Sequence, residues 1–452
     1  MTRWTVCLAG LVTAIAGAVG ADTVTLTPEE MRLTTGRAIA AGRPDMALPM
    51  AEALLGRDAS DAQAHVLRSQ ALRDLGRAPD AIEAARRGWR LAQSDEIRFG
   101  AALAMAQALS SDGKRTRAQL WLRRAAELAP DDRMRALVER DFRYVRRRNP
   151  WSTELSFDIA PSSNVNNGSR ESSVQLFDLP LEFELSGASK ALSGTEIAMG
   201  IATSYRLIDR PNRTDRLQFQ ASHRTYLLSD DAQETAPDAE GSDFAFSYAA
   251  LTYATRGITE GLGAPYALDA TLGTSWYGGA PLMRFFRLGG AQHVILGDRT
   301  AARLSVSREW QAGETGRADA QVWSIGADLT HALESGAQLG LGLRHLASAS
   351  DDSGLDYHRS SVSFEYRPAE PVLGVDLAFG LGLSRRMQDA SIYSSEGRDD
   401  SELRASVTAT FRQIDYYGFV PTATLSAKRV DSNIGLYDSE EIGIELGIRS
   451  AF

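Results

Sequence analysis

The sequence predicts an α plus all-β chain: an N-terminal α-helical domain followed by a C-terminal transmembrane β-barrel of about 14 antiparallel strands. Three observations carry this expectation. Residues 27–148 show helical periodicity and are rich in Ala, Leu, Arg and Glu. From Pro150 onward the helical spacing stops, and segments of about ten residues alternate apolar and polar side chains, the period of an extended strand. After residue 21 no long apolar run occurs, so a membrane location requires strands rather than helices.

The 452 residues leave room for two or three domains. The net charge of −9 implies no basic face for nucleic acid. Arg3, the apolar run Thr5 to Gly20, and Val19-Gly20-Ala21 before Asp22 read as a signal peptide over residues 1–21. Cys7 is the only cysteine and lies within it. The mature chain is therefore expected to carry no disulfide and no cysteine metal site. The expected domains are 22–149 (helical) and 150–452 (barrel), with 150–176 as a lead-in and strands from about residue 177.

The helical part opens at Thr27-Pro28-Glu29-Glu30: a cap, a proline in the first turn, and acids on the positive end of the helix. Gly42, Gly76 and Gly113 each close a helix, and each is followed five residues later by an alanine, Ala47, Ala81 and Ala118. These spacings lie close to the 34-residue period of tetratricopeptide (TPR) repeats. Ala118, Leu122, Ala125 and Pro130 fit the second helix of such a repeat. A TPR-like solenoid offers a docking groove or merely braces the barrel. The last helix ends in the basic run Arg143 to Asn149, which suits a helix C-terminus and a solvated face, or contact with anionic lipid.

The barrel is read backwards from Glu441–Phe452. There Ile442, Ile444, Leu446 and Ile448 share one face, and Gly443, Glu445, Gly447 and Arg449 the other. Similar strands are expected near 419–431, 402–414, 373–386, 358–367, 337–347, 320–333, 300–311, 284–297, 266–277, 243–256, 215–228, 195–208 and 177–187. Trp151 to Ile159 also alternates and reads as a lead-in or as the true first strand. Connectors alternate between tight turns and long acidic loops such as 229–243, 348–357 and 392–401, as expected of a bacterial barrel with short periplasmic turns. The closing strand is expected to pair with 177–187.

Catalysis has little support. The six histidines form no HxxxH or HExxH pair, and no GxSxG elbow or phosphate loop is present. No catalytic residue, metal or cofactor is implied. Glu182, Glu184, Arg303, Arg344, Glu365, Arg367, Arg404, Arg412, Glu445 and Arg449 fall on the polar phase and are candidates for lining a wet lumen, either as cross-lumen pairs or as a substrate path.

Two stretches carry a family signature: Pro161-Ser162-Ser163-Asn164-Val165-Asn166-Asn167, and Lys428 to Asp438, which contains Ser432, Asn433, Ile434, Leu436 and Tyr437. With the signal peptide, helical repeats and barrel, the chain resembles the surface lipoprotein assembly modulators, or Slam proteins. The resemblance implies an outer-membrane factor that helps move a lipoprotein or secreted protein from periplasm to cell surface. It implies a periplasmic helical domain. Its partners would be that client, with or without a periplasmic chaperone, and the barrel-assembly machinery. A terminal aromatic such as Phe452 is similar to the ending that machinery reads in bacterial barrels. Asn164, Asn166 and Asn167 would cap or line the mouth, or form a structural turn. An exopolysaccharide export porin, which also joins helical repeats to a barrel, and a passive porin are the alternatives.

Overall fold

A computed structural model describes residues 25–179, 181–259, 264–414, 416, 417 and 419–450. The expected signal peptide and Phe452 lie outside them. The chain forms two compact units, residues 1–113 and 114–452.

The first unit holds α1 (Pro28–Ala40), α2 (Pro44–Arg57), α3 (Ala62–Asp74), α4 (Ala78–Leu91) and α5 (Asp95–Ser111). Thr27 caps α1 in a capping box with Glu30. Gly42, Gly76 and Gly113 adopt φ of 68°, 77° and 77°, the left-handed conformation that ends a helix and that a Cβ disfavours. Ala47 and Ala81 are fully buried, as the close approach of paired helices in a TPR-like repeat requires. His65 is buried on α3, with Nε2 3.1 Å from the Ala59 carbonyl.

The second unit opens with α6 (Arg115–Glu127) and α7 (Asp132–Arg148). Ala118, Leu122, Ala125, Val138, Phe142 and Val145 are buried. These two helices fold with the barrel although the composition changes only at Pro150. The Arg123 guanidinium explains much of this. It donates to the Tyr417 carbonyl at 2.7 Å and lies over the rings of Phe419 (4.5 Å) and Phe142 (5.2 Å).

The strands are β1 (Trp151–Ser162), β2 (Ser173–Gln175), β3 (Glu182–Glu184), β4 (Gly194–Arg210), β5 (Arg213–Leu228), β6 (Phe246–Ile258), β7 (Pro265–Tyr277), β8 (Ala280–Gly297), β9 (Thr300–Gly313), β10 (Ala320–Ala332), β11 (Gln338–Ala349), β12 (Tyr357–Arg367), β13 (Asp376–Gln388), β14 (Arg398–Thr410), β15 (Phe419–Ser432) and β16 (Ser439–Ser450). All but β2 and β3 form a closed barrel of 14 antiparallel strands in the order β1-β16-β15-β14-β13-β12-β11-β10-β9-β8-β7-β6-β5-β4. Every neighbour in sequence is a neighbour in the sheet except across residues 163–193. The even count brings β1 in and β16 out at the same end, here the terminal end. The opposite end is the loop end.

The expected strand at 177–187 is corrected. Phe177 and Asp178 have φ of 60° and 54°, which breaks an extended run. What remains is the small separate hairpin of β2 and β3. The expected lead-in supplies the missing strand instead. All twelve residues of β1 pair with β4, and its far half pairs with β16. The barrel thus closes β16 on β1, not on 177–187.

The register sorts side chains cleanly. Phe219, Leu251, Leu272, Phe286 and Trp310 form one continuous ladder, and Tyr366, Phe379, Val407, Leu425 and Ile444 another. Most of this phase is solvent-exposed. The opposite phase carries Ser, Thr, Gly and charge, and its side chains converge: Arg359 reaches Ser384 (2.9 Å) and, two strands away, Glu402 (3.0 Å). Thr252 meets Thr271, and Thr408 meets Thr424. Polar groups therefore fill the interior and apolar ones clothe the outside. Aromatics cluster at both ends: Trp151 against Tyr205 near the terminal end, Trp310 and Trp323 around Arg308 near the loop end.

Candidate functional site

Residues 163–193 and the 433–438 connection meet at the loop end and form a cap. Asn164 is buried. Its Nδ2 donates to the Gly168 carbonyl (2.9 Å), its Oδ1 accepts from the Gly168 amide (3.0 Å), and a longer bond of 3.4 Å runs to the Glu440 carbonyl on β16. Asn166 staples the two legs of the insert, donating to the carbonyls of Ala188 (2.7 Å) and Lys190 (2.9 Å) and accepting from the Leu192 amide (2.9 Å). Asn167 takes φ 52° and accepts from Lys428 Nζ at 2.7 Å. Lys428 also faces Glu441 at 3.4 Å.

The last connection is equally tied. The Ser432 amide donates to Asp438 (2.6 Å), and the Ile434 amide to Ser432 Oγ (3.2 Å). Asn433 accepts from the Asp399 amide (2.7 Å) and donates to the Gly397 carbonyl (3.2 Å). Ile434 is buried, and Leu436 lies half-buried in the turn Gly435–Tyr437. Tyr437 stacks under Arg398 at 3.3 Å. Burial raises its phenol pKa, and the guanidinium opposes that.

The insert bridges these pieces. Ser169 Oγ donates to the Gly435 carbonyl (2.8 Å). Arg170 reaches Asp431 (2.9 Å), Glu171 (3.1 Å) and Asp438 (3.6 Å). Its pKa is raised, first by the bond to Asp431. Burial raises the pKa of Asp438. Farther along, the Phe177 amide donates to the Tyr393 carbonyl (2.7 Å), and Asp178 accepts from the Ser395 amide (2.8 Å) and Ser394 Oγ (3.1 Å). The Ser395 amide is the first cause holding the Asp178 carboxyl below its usual pKa. On the other side Val165 and Leu192 pack with Tyr226, Ala232 and Ala236, the last two within and beside α8 (Asp230–Thr235). The insert therefore touches the connections after β5, β13 and β15.

The candidate lumen residues divide. Arg303, Arg344, Glu365, Arg367, Arg404, Glu445 and Arg449 share the inward phase of β9, β11, β12, β14 and β16. Arg303 pairs with Asp328 (3.3 Å), Arg367 with Glu365 (3.1 Å) and Arg404 with Glu402 (3.4 Å). Glu182 and Glu184 are corrected: they sit on β3, outside the barrel wall, because 177–187 is not a wall strand. Arg412 is corrected too. It lies past the end of β14 and binds Asp376 at the terminal rim. Asp158 and Glu196 went unnoticed in the sequence. They face inward beside Glu445 on β1 and β4.

Among the described residues the β1–β16 seam is the shortest pairing of the ring. Its partners are Asp158↔Gly447, Ile159↔Leu446 and Ser162↔Gly443. Among the described residues, Trp151 to Phe157 have no partner on β16, whereas all pair with β4. The motif Asn164 sits directly above this seam.

The apolar-phase histidines are accounted for by hydroxyls on the next strand. His223 meets Ser247 (2.8 Å), His331 meets Thr300 (2.9 Å) and His345 meets Ser360 (3.0 Å). Among the described residues no group of three His, Cys, Asp or Glu is placed to hold a metal ion.

No family model matches the chain, and no curated protein does. Solved structures show limited similarity to parts of the chain. An outer membrane channel from Pseudomonas putida is 12% identical with a TM-score of 0.34, over 67% of this chain and 96% of that one. The type III secretion translocator chaperone SycD of Yersinia enterocolitica is 17% identical with a TM-score of 0.24, over 26% of this chain and 83% of that one. The first TPR domain of the human RPAP3 protein is 16% identical with a TM-score of 0.24, over 26% of this chain and 90% of that one.

Proposed function

We propose that the chain is an outer-membrane translocation factor of the surface lipoprotein assembly type, delivering a lipoprotein or secreted protein from periplasm to cell surface. The terminal end then faces the periplasm, where the TPR-like helices hold the client or its chaperone, and the loop end faces outward. The observation that carries this reading is the meeting of the two family-like stretches. Asn167 bonds Lys428 some 260 residues away, and beside that bond Asn164 reaches Glu440 and Ser169 reaches Gly435, over the barrel mouth and beside the β1–β16 seam. A cap tied by side chains to the first and last strands suits a path that opens for a large client.

No nucleotide site is needed if folding of the client outside supplies the drive. Deleting the gene tests the function. The expected result is that a small secreted or lipid-anchored protein encoded beside it stays in the cell and becomes resistant to surface proteolysis. Its normal display in the deletion strain, or loss of a surface polysaccharide instead, overturns the proposal. Heat-modifiable migration of the chain in the outer-membrane fraction tests the location.

A further inference from the structure

The last helix before the barrel, α7, carries a cationic face opposite its packed one. Val138, Phe142 and Val145 of α7 are buried and define its packed face. At 100° per residue, Arg133, Arg140, Arg143, Tyr144 and Arg147 fall on the opposite face. All five are exposed. Arg146 and Arg148 flank this stripe and are exposed too. Charge balance is thin. Arg140 has only Asp141 at 3.9 Å and Arg143 only Glu139 at 3.9 Å. Arg146 and Arg147 have no carboxylate within 4 Å among the described residues. Arg148 lies over the Tyr144 ring at 5.2 Å.

The position of this face is fixed by the chain itself. Arg148 precedes Trp151, the first residue of β1, by three residues, which span at most about 10 Å. Arg206 of β4 pins the helix end to the wall, donating to the carbonyls of Arg147 (2.6 Å) and Asn149 (2.8 Å). Trp151 is half exposed on the outward phase and packs on Tyr205, 4.8 Å between centroids. Such an outward aromatic pair at a barrel rim marks the level of lipid head groups.

We infer that the arginine face of α7 binds the phosphate head groups of anionic phospholipid in the leaflet at the terminal end, with Trp151 and Tyr205 as the adjoining interfacial anchor. This rests on the membrane location proposed above. An acidic protein segment is the competing occupant. The lipid is favoured because connectivity holds Arg148 within about 10 Å of Trp151 at the barrel rim, and Arg206 ties the Arg147 carbonyl to the wall. Arg suits phosphate through its paired donors. The site would steady α6 and α7 at the barrel rim without touching the client path.

The test uses the full chain in vesicles of phosphatidylcholine with spin-labelled phosphatidylglycerol or spin-labelled phosphatidylcholine as probe. The wild type should immobilise the anionic probe about threefold over the neutral one, and lose that preference in high salt. Replacing Arg143, Arg146 and Arg147 by Gln should bring the ratio close to one. Replacing the same three by Lys should keep most of the preference. An unchanged ratio in the Gln variant, or no preference in the wild type, overturns the inference. If the chain fails to enter vesicles and shows no heat-modifiable form, the membrane reading itself falls, and the inference with it.

Discussion

Replacing Asn164 by Ala should open the cap. The Asn164 side chain satisfies both the amide and the carbonyl of Gly168, which is itself buried. Alanine leaves the carbonyl without a partner and the amide with only a 3.3 Å bond to Asn166 Oδ1, at about 1–3 kcal/mol for the orphaned carbonyl. The 3.4 Å bond to Glu440 adds little. If only about 2 kcal/mol of this falls on the closed cap, its open fraction rises roughly thirtyfold. Ser426→Cys provides the readout. Ser426 lies on the inward phase of β15, one rung deeper than Lys428, which Asn167 covers. Cys7 is the only native cysteine and precedes the expected cleavage site. The rate at which a bulky external maleimide labels the new thiol then reports opening. Asn164→Asp, which keeps the acceptor for the Gly168 amide, should fall between. A labelling rate unchanged by Asn164→Ala, with the barrel still heat-modifiable, would refute the reasoning that this side chain holds the cap shut.

Arg123→Leu removes a charged donor to the Tyr417 carbonyl and contacts to two rings, about 2–3 kcal/mol in all. Hydrogen exchange of the turn after Thr410 should accelerate at least tenfold while exchange in β7 stays as it was. His65 is buried, and burial lowers its pKa below the usual 6.5. The folded state resists the proton that the unfolded state accepts, so the helical unit should lose stability as pH falls below about 6.5, and His65→Gln should flatten that slope in exchange of α3 amides. The Asp178 carboxyl is held below its usual value by the Ser395 amide and the hydroxyls of Ser394 and Ser395. Its tie is therefore complete above about pH 4 and lost as pH falls through the depressed value. Proteolysis of the 389–397 connection should rise in that acid range, and Asp178→Ala should bring the same nicking at neutral pH.

Much of the fold was legible because its signals are local. The left-handed glycines at 42, 76 and 113 announce helix ends, and the buried alanines five residues later reflect the same repeat. Thirteen of the expected strands are present because alternation along one segment reflects one outward apolar wall and one inward polar wall. The remaining strand was misplaced because alternation alone does not reveal backbone sign: Phe177 and Asp178 look extendable yet adopt positive φ. A capping role for the asparagines was legible, but the bonds that make the cap were not. The cap is held by side-chain bonds between residues some 260 apart, such as Asn167 with Lys428, and no periodicity records such pairs. The motif asparagines could be singled out, but their bonds to Gly168, Ala188 and Lys190 depend on the insert's path. Asp158 and Glu196 were missed because β1, which carries Asp158 and pairs with β4 beside Glu196, read as a lead-in rather than a wall strand.

The central claim is that a client protein passes through the capped barrel. A photoreactive residue in place of Ser426, in growing cells, tests it most directly. The account predicts an ultraviolet-dependent adduct between this inward position and an exported protein, weakened when the cap is locked shut by a crosslink between positions 167 and 428. An exported protein that still reaches the surface with the cap locked, and never forms an adduct at position 426, would contradict it.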